Sequence, residues 1–521
     1  MKPITRRALL GLAAVTGVSA AGAAVVHQVR PAAGTAPPPY PAPPKTTPRT
    51  VTGWTFDAQR SGPTIIAENM FTGAGPDAWR AGPASGTAPS DDLLHQIEGY
   101  ASATSVRTGG PIDFHVSGVS AGPATIAVYR IGHYGGAGSR LMATSAPIEL
   151  NAYAIPDPTG NGEIACAWPV AARLPIPADW MPGLYIAAFT ARDRHRAITP
   201  FVVRSDKPTA LCAVLPFTTY QAYNMWPMDR KLGKSLYLGY DARGDGDADL
   251  RAHHVSFARP YHRGGDPRHL DDDIAFIRWA ESVGYSLTYA TSVDLHAGRV
   301  IPTRYRGLVF SGHDEYWSDQ MRAAVVQAQS HGVNMAFLSA NSMYWRVRIS
   351  GTDHQTVECY KHAADPSRDA LGGTTMWRYL GHAEEHSEQQ VLGTQFTGIP
   401  SGDSPMIVTN PGHWVWAGTG LVADDRIEAL VGGEIDALTP DAPRAVGGAQ
   451  TLLSESPCVR AADGAPLTQQ TSVWETPAGG VVFNAGTFNW TRALSTDGHV
   501  DPRIQRATHN VLDRMMRPTS A

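Results

Sequence analysis

The stretch GLVFSGHDEYWSDQMRAAVVQAQSHGVNMAFLSA, from Gly307 to Ala340, decides the fold. Its first four residues are an apolar run of strand length. Ser318 follows as an N-cap, and the residues after it carry a helix that Gly332 is placed to end. VNMAFLSA then reads as a second strand. Strand, helix and strand in this order predict parallel pairing with helices on the sheet faces. Between the first strand and the helix stand His313, Asp314, Glu315, Tyr316 and Trp317. In open α/β sheets ligands bind outside the carboxyl ends of the strands, so this crowding sits where chemistry is expected. Asp314, between two pocket residues, is expected to point away and stabilise the turn.

The same grammar extends both ways. Upstream, TALCAVLP (Thr209–Pro216) and YSLTYA (Tyr285–Ala290) read as strands, and DDDIAFIRWAESVG (Asp271–Gly284) as a helix with acidic residues at its start. Downstream, SPMIVTN and SVWETPAGGVVFNAG return to strands, and PRIQRATHNVLDRMM closes with a helix. An α/β catalytic domain with a mostly parallel sheet is therefore expected over 206–521. Before it, PIDFHVSG, ATIAVYRIG, EIACAWPV, LYIAAFTA and ITPFVVR are short extended runs with no helical stripe, which predicts an all-β sandwich over 51–205.

The N-terminus differs in kind. TRRALLGLAAVTGVSAAGAAVV pairs Arg6 and Arg7 with a weakly apolar, small-residue run, the layout of an export signal over 1–27 of twin-arginine type. An uncleaved tether is the competing reading, but the Ala- and Gly-rich run makes a poor membrane helix, so no stable span is expected once the signal is removed. RPAAGTAPPPYPAPPKTTPR falls in a Pro-rich linker over 28–50. The expected location is therefore the periplasm, cell envelope or extracellular space.

Composition bounds the rest. The chain has 521 residues, 43% hydrophobic and 17% charged, which suits a globular protein of two or three domains. A net charge of -4 gives no electrostatic case for nucleic acid. Cys166, Cys212, Cys359 and Cys458 are too widely spaced for a zinc or redox motif, and leave disulfides and buried thiols both open.

Three strand ends carry polar and aromatic residues: FTTYQAYNMW with Tyr220, Tyr223 and Asn224; SGHDEYW; and SANSMYWR with Asn341. None shows the glycine-flanked nucleophile elbow of a serine hydrolase, a Walker loop or a dinucleotide fingerprint. His313 and Glu315, two apart, can face one cavity, and carboxylate, imidazole and phenolate together suit a hard ferric ion. Other clusters read as structural. RGDGDAD lacks the twelfth-position glutamate of a calcium loop. His253 and His254, with His262 and His269 nearby, could bind a metal but read as a surface group, and Trp414 and Trp416 alternate as in a strand and read as core or pocket wall.

PFTTYQAYNMW, SFARPYHRGG, SGHDEYWSDQMR, FLSANSMYWRVR and GTFNWTR, in this order, resemble the N,N-dimethylformamidase large (beta) subunit family; IEGYASATSV and VYRIGHYGGAGSR upstream do so too. The resemblance runs from Gly53 to Met516. It implies a catalytic domain similar to glutamine-amidotransferase-like folds without their cysteine nucleophile. It also implies a mononuclear, ferric iron held by two tyrosines and a glutamate, and hydrolysis of an amide C–N bond by an iron-activated water. Carried onto this chain, the metal ligands would be Tyr223, Tyr261 and Glu315, with Tyr220 as the alternative to Tyr223. His313, Asn341, Lys361, Glu434 and Phe488 would be catalytic positions. Iron would favour the phenolates over phenols; His313, Asn341 and Lys361 could donate to a developing oxyanion, and Glu434 could accept a proton. A small partner subunit or a homo-oligomer is implied, and the exported N-terminus points to an envelope or extracellular amide as well as a small one. Two other readings stay open: a non-catalytic envelope or carbohydrate-binding protein on the same fold, and a metal-dependent hydrolase of another bond, such as an ester.

Overall fold

Central strands of a sheet covered on both faces lose the in–out alternation of half-buried ones, and LYIAAFTA is such a strand. In the computed structural model, which describes residues 49–59, 61–75, 77–381, 386–445 and 448–517, it lies within strand Gly183–Ala191, flanked by Ala124–Ile131 and His195–Arg204. Tyr185, Ala187 and Phe189 face one core and Leu184, Ile186 and Ala188 the other. The export signal and nearly all of the Pro-rich linker expected over 1–50 lie outside the described residues. Among the described residues no helix is long and apolar enough to cross a membrane.

The protein is β-rich, with several sheets and some helices. In the N-terminal region a seven-stranded sheet runs in the order Trp54–Phe56, Ser139–Ser145, Ala124–Ile131, Gly183–Ala191, His195–Arg204, Ala88–Pro89, with Ser105–Arg107 also pairing on His195–Arg204. A three-stranded antiparallel sheet, Glu98–Ala101, Pro111–Ser117 and Val170–Pro175, shares one core with it through Ile112, Phe114, Ile126, Val128, Phe189 and Phe201.

EIACAWPV departs from expectation, because only Val170 belongs to a strand. Ile164, Cys166 and Trp168 still point inward alternately, packing with Tyr100, Tyr153 and Trp226. The run has the side-chain pattern of a strand without a partner ladder, and Pro169 contributes no N–H to build one. Trp414–Trp416 likewise forms a 3₁₀ turn and not a strand; Trp416 packs on Trp490.

The C-terminal region is built on strands β1 (Leu211–Leu215), β2 (Leu287–Thr291), β3 (Gly307–Phe310), β4 (Asn334–Phe337), β5 (Gln450–Leu452), β6 (Ser472–Glu475) and β7 (Val481–Asn484). They lie side by side as β2-β1-β3-β4-β7-β6-β5. The first five in that order run parallel, and β6 and β5 add antiparallel. Helix α1 (Phe217–Ala222) follows β1, α2 (Leu270–Ser282) precedes β2, and α3 (Asp319–Ser330) joins β3 to β4. Ser318 caps α3 by accepting from the N–H of Met321. Helices α4 (Asn489–Ser495) and α5 (Pro502–Met516) close the chain. Along the sheet, chain order reverses between β1 and β3, which opens a crevice outside their carboxyl ends.

The two regions are fused through buried charge. Arg130, near the end of strand Ala124–Ile131, sets its guanidinium on Glu281 of α2 with Nη2–Oε1 at 2.7 Å and Nη1–Oε2 at 3.0 Å. Tyr289 Oη donates to the same carboxylate at 3.0 Å. Tyr129, Ile131, Leu184, Ile186 and Val202 pack into the same core as β1–β4.

Candidate functional site

Four of the five parallel strands, β1, β3, β4 and β7, each deliver one part of a cluster at the carboxyl edge. β1 runs into α1, all six residues of which are buried, and Tyr223 stands at its C-terminal end. β3 runs into the 311–315 loop, whose Glu315 N–H donates to Thr219 Oγ of α1 at 3.0 Å. β4 is followed by Asn341 and Met343, both with positive φ (54° and 60°), and β7 leads to Phe488. Lys361 also has a positive φ, 54°. Non-glycine residues in this backbone region are uncommon and mark tightly constrained turns.

At the centre, three oxygens converge. Glu315 Oε2 accepts from Tyr223 Oη at 3.0 Å and from Tyr237 Oη at 2.5 Å, and the two hydroxyls are 2.9 Å apart. The tyrosine rings stack with centroids 4.4 Å apart. His313 Nε2 lies 3.3 Å from Glu315 Oε2 and 3.9 Å from Glu434 Oε2. Asn341 Nδ2 donates to Glu434 Oε2 at 2.7 Å, and the backbone N–H of Asn341 is held by Asp436. Phe488 packs on the His313 imidazole at 4.4 Å. The Lys361 ammonium sits 3.5 Å above the Tyr237 ring and 4.6 Å from that of Trp345.

Burial sets the electrostatics. It pushes the Tyr223 and Tyr237 phenols well above their usual range, and the neighbouring Glu315 carboxylate adds to the effect. Burial would also raise Glu315, but His313, the Lys361 ammonium and the Tyr237 hydrogen bond hold it below the ordinary value. Glu434 has less compensation, and burial lifts it to about 7. Lys361 is lowered by burial to about 8. His313 is raised despite burial, because Glu434 and Glu315 both favour the imidazolium.

Seven of the eight sequence-derived positions meet here: Tyr223, His313, Glu315, Asn341, Lys361, Glu434 and Phe488. Tyr261 does not join them. It is buried beside Arg259, and among the described residues its hydroxyl makes no hydrogen bond to Glu315, His313 or Tyr223. Tyr237 of KSLYLGY sets its hydroxyl on Glu315 instead. Between the two tyrosines of α1, Tyr220 turns its hydroxyl to Asp273, so Tyr223 is the one facing Glu315.

Other expectations are corrected. Asp314, expected to point away and stabilise the turn, is fully buried; neither carboxyl oxygen has a hydrogen-bond partner among the described residues, so the turn is held by its backbone carbonyl, which accepts from Met343 N–H and Trp317 Nε1. Strand pairing after Glu315 leaves this side chain inside the fold. Of the four histidines, His253 and His254 are half-buried, and His262 and His269 are drawn into the fold. His262 is buried, and its Nδ1 accepts from the Met225 N–H at 3.2 Å. His269 lies edge-on to Tyr223, His313 and Phe488, with centroids 5.5, 5.1 and 5.5 Å away. All four cysteines are free and buried.

Sequence reasoning missed Tyr237 and Trp345, whose indole Nε1 donates to Glu315 Oε1 at 2.8 Å. Tyr237 lies in a loop with no periodic or strand-end signal. Trp345 stood in the SANSMYWR segment beside Asn341, where its position at a strand end was the available signal.

The family model described as N,N-dimethylformamidase beta subunit-like, C-terminal, matches residues 125–504. Two curated relatives, each an N,N-dimethylformamidase beta subunit, one from Paracoccus aminophilus and one from Alcaligenes sp, are 24% identical over 328 residues. Each match takes in 56% of this chain and 42% of the relative, so the similarity spans less than half of the relatives' length.

Proposed function

The chain belongs to the N,N-dimethylformamidase beta subunit-like family, and we propose that it is an exported, metal-dependent hydrolase cleaving an amide C–N bond. The observation that carries this reading is the convergence of Tyr223 Oη, Tyr237 Oη and Glu315 Oε2 within 3.0 Å of one another. Three hard, anionic-capable oxygens packed this closely in a partly buried cluster fit a ferric ion, and would not fit a soft metal. Tyr223, Tyr237 and Glu315 would hold it. Bound there, iron would supply Lewis acidity toward water and toward the amide carbonyl, and would reverse the upward push on the phenols.

The surrounding residues take the remaining roles. Glu434, with an acidity near neutral, accepts a proton from the attacking water and returns it to the leaving nitrogen as the C–N bond breaks. Asn341 fixes the Glu434 carboxylate through its Nδ2 hydrogen bond. His313 and Lys361, both buried, provide positive charge beside the carbonyl oxygen as it gains charge. Phe488 keeps the imidazole in place and excludes solvent from it.

The same proposal reads the two regions as a β-sandwich (51–205) and a glutamine-amidotransferase-like α/β catalytic domain (206–521). Support comes from the core shared by the two N-terminal sheets and from the parallel strand order with its reversal at the site. Export by the twin-arginine route rests on Arg6 and Arg7, and the substrate is then an envelope or extracellular amide. Because the relatives are named as beta subunits, a small partner subunit or self-association belongs to the reading.

Amine release from a panel of linear amides, with matched esters as the comparison, tests it. Iron-loaded protein should release amine and chelated protein should not. Turnover of esters alone would contradict the assignment of the bond.

A further inference from the structure

The two oxygens of Glu315 are held by different partners. Oε2 takes both tyrosine hydroxyls and faces His313, whereas among the described residues Oε1 takes only the Trp345 indole, in a buried hydrogen bond of 2.8 Å. We propose that Trp345 is a positioning residue that makes Glu315 a single-oxygen donor. The inference rests on reading Tyr223, Tyr237 and Glu315 as the iron ligands.

The indole is placed to do this with little freedom. Strand Trp345–Ser350 pairs in parallel with Tyr316–Ser318, the strand that begins immediately after Glu315. The backbone N–H groups of Tyr344 and Trp345 both donate to the Glu315 carbonyl at 2.9 Å. Trp345 therefore grips Glu315 at main chain and side chain together. Its ring is further fixed edge-on by Tyr344 at 5.0 Å and His362 at 5.5 Å.

A carboxylate free to rotate can present both oxygens to a hard cation. With Oε1 committed to an N–H donor, Glu315 presents Oε2 alone, on the side where the tyrosine oxygens lie. A position that a second carboxylate oxygen would fill then stays available to water or substrate. Hydrogen-bond partners of metal ligands act in this way, fixing orientation and tuning the ligand's donor strength. The same ring lies under the Lys361 ammonium, which ties the ligand carboxylate and the charge beside the substrate to one rigid group.

The test compares the full-length protein with Trp345→Phe and with a variant carrying benzothienylalanine at 345, which keeps the indole shape and lacks the N–H. Iron affinity, the visible charge-transfer band and X-ray absorption at the iron edge are read on all three. Both variants should lose about 10–100-fold in iron affinity, shift the band and show one more iron–oxygen contact from carboxylate. Wild-type affinity and spectrum in the benzothienylalanine variant would overturn the proposal, whatever Trp345→Phe does, since packing alone would then explain the residue. A wild-type protein that takes up no iron under anaerobic loading would instead overturn the ligand reading, and this inference with it.

Discussion

Tyr237 donates its hydroxyl to Glu315 Oε2 at 2.5 Å, although 78 positions separate them in the chain. Tyr261, which sequence reasoning placed there, lies beside Arg259 instead. The two tyrosines therefore make opposite predictions. Tyr237→Phe should bring iron content to background and abolish the phenolate charge-transfer band. Tyr261→Phe should leave both unchanged. Metal analysis and a visible spectrum of each purified variant decide the matter.

Glu434 is assigned the proton and not the metal. Glu434→Gln should keep iron and its spectrum while lowering kcat by about 10²–10⁴-fold, the usual contribution of a general acid–base group. Loss of iron in this variant, measured alongside steady-state kinetics, would move Glu434 into the ligand set.

Fusion of the two regions depends on Arg130 and Glu281, both fully buried. Removing one partner of a buried pair leaves an uncompensated charge, at a cost of roughly 3–5 kcal/mol. Glu281→Ala should lower stability by about that amount in a urea titration. A loss below about 1 kcal/mol, the value of an exposed pair, would show that the guanidinium finds solvent or another partner.

Acid sensitivity should have an identifiable source in His262. Burial, with Arg263 and Arg259 adding to it, lowers its folded-state pKa to about 3, against the ordinary value of 6.5. The folded state thus binds fewer protons than the unfolded chain, and stability is present above pH 6.5 and lost as pH falls toward 3. Between pH 8 and pH 4.5 this one group should cost about 2–3 kcal/mol. His262→Gln should flatten the slope of stability against pH over that range, measured by urea titration, even if it lowers the absolute value.

What was legible in the sequence followed from local physics. GLVF, TALCAVLP and VNMAFLSA were readable as strands because they are uninterrupted apolar runs, and α3 because Ser318 and Gly332 bracket it. Strand ends then pointed to Tyr223, Glu315 and Asn341 without any contact information. Tyr237 was not readable in this way: it reaches the site through a loop, and only the closed fold sets its ring on Tyr223. EIACAWPV misled because alternation reports which side chains are buried, not whether a neighbouring strand exists. His262 was misplaced because charged and polar neighbours in the chain, such as Arg263, suggested a surface that the fold encloses.

The most direct test of the central claim is the iron content and visible spectrum of the purified wild-type protein beside Glu315→Ala. The account predicts one iron per chain with a tyrosinate-to-iron charge-transfer band in the wild type, and loss of metal, band and amide hydrolysis together in the variant. A colourless, metal-free wild type after anaerobic iron loading, or full iron retention in Glu315→Ala, would contradict it.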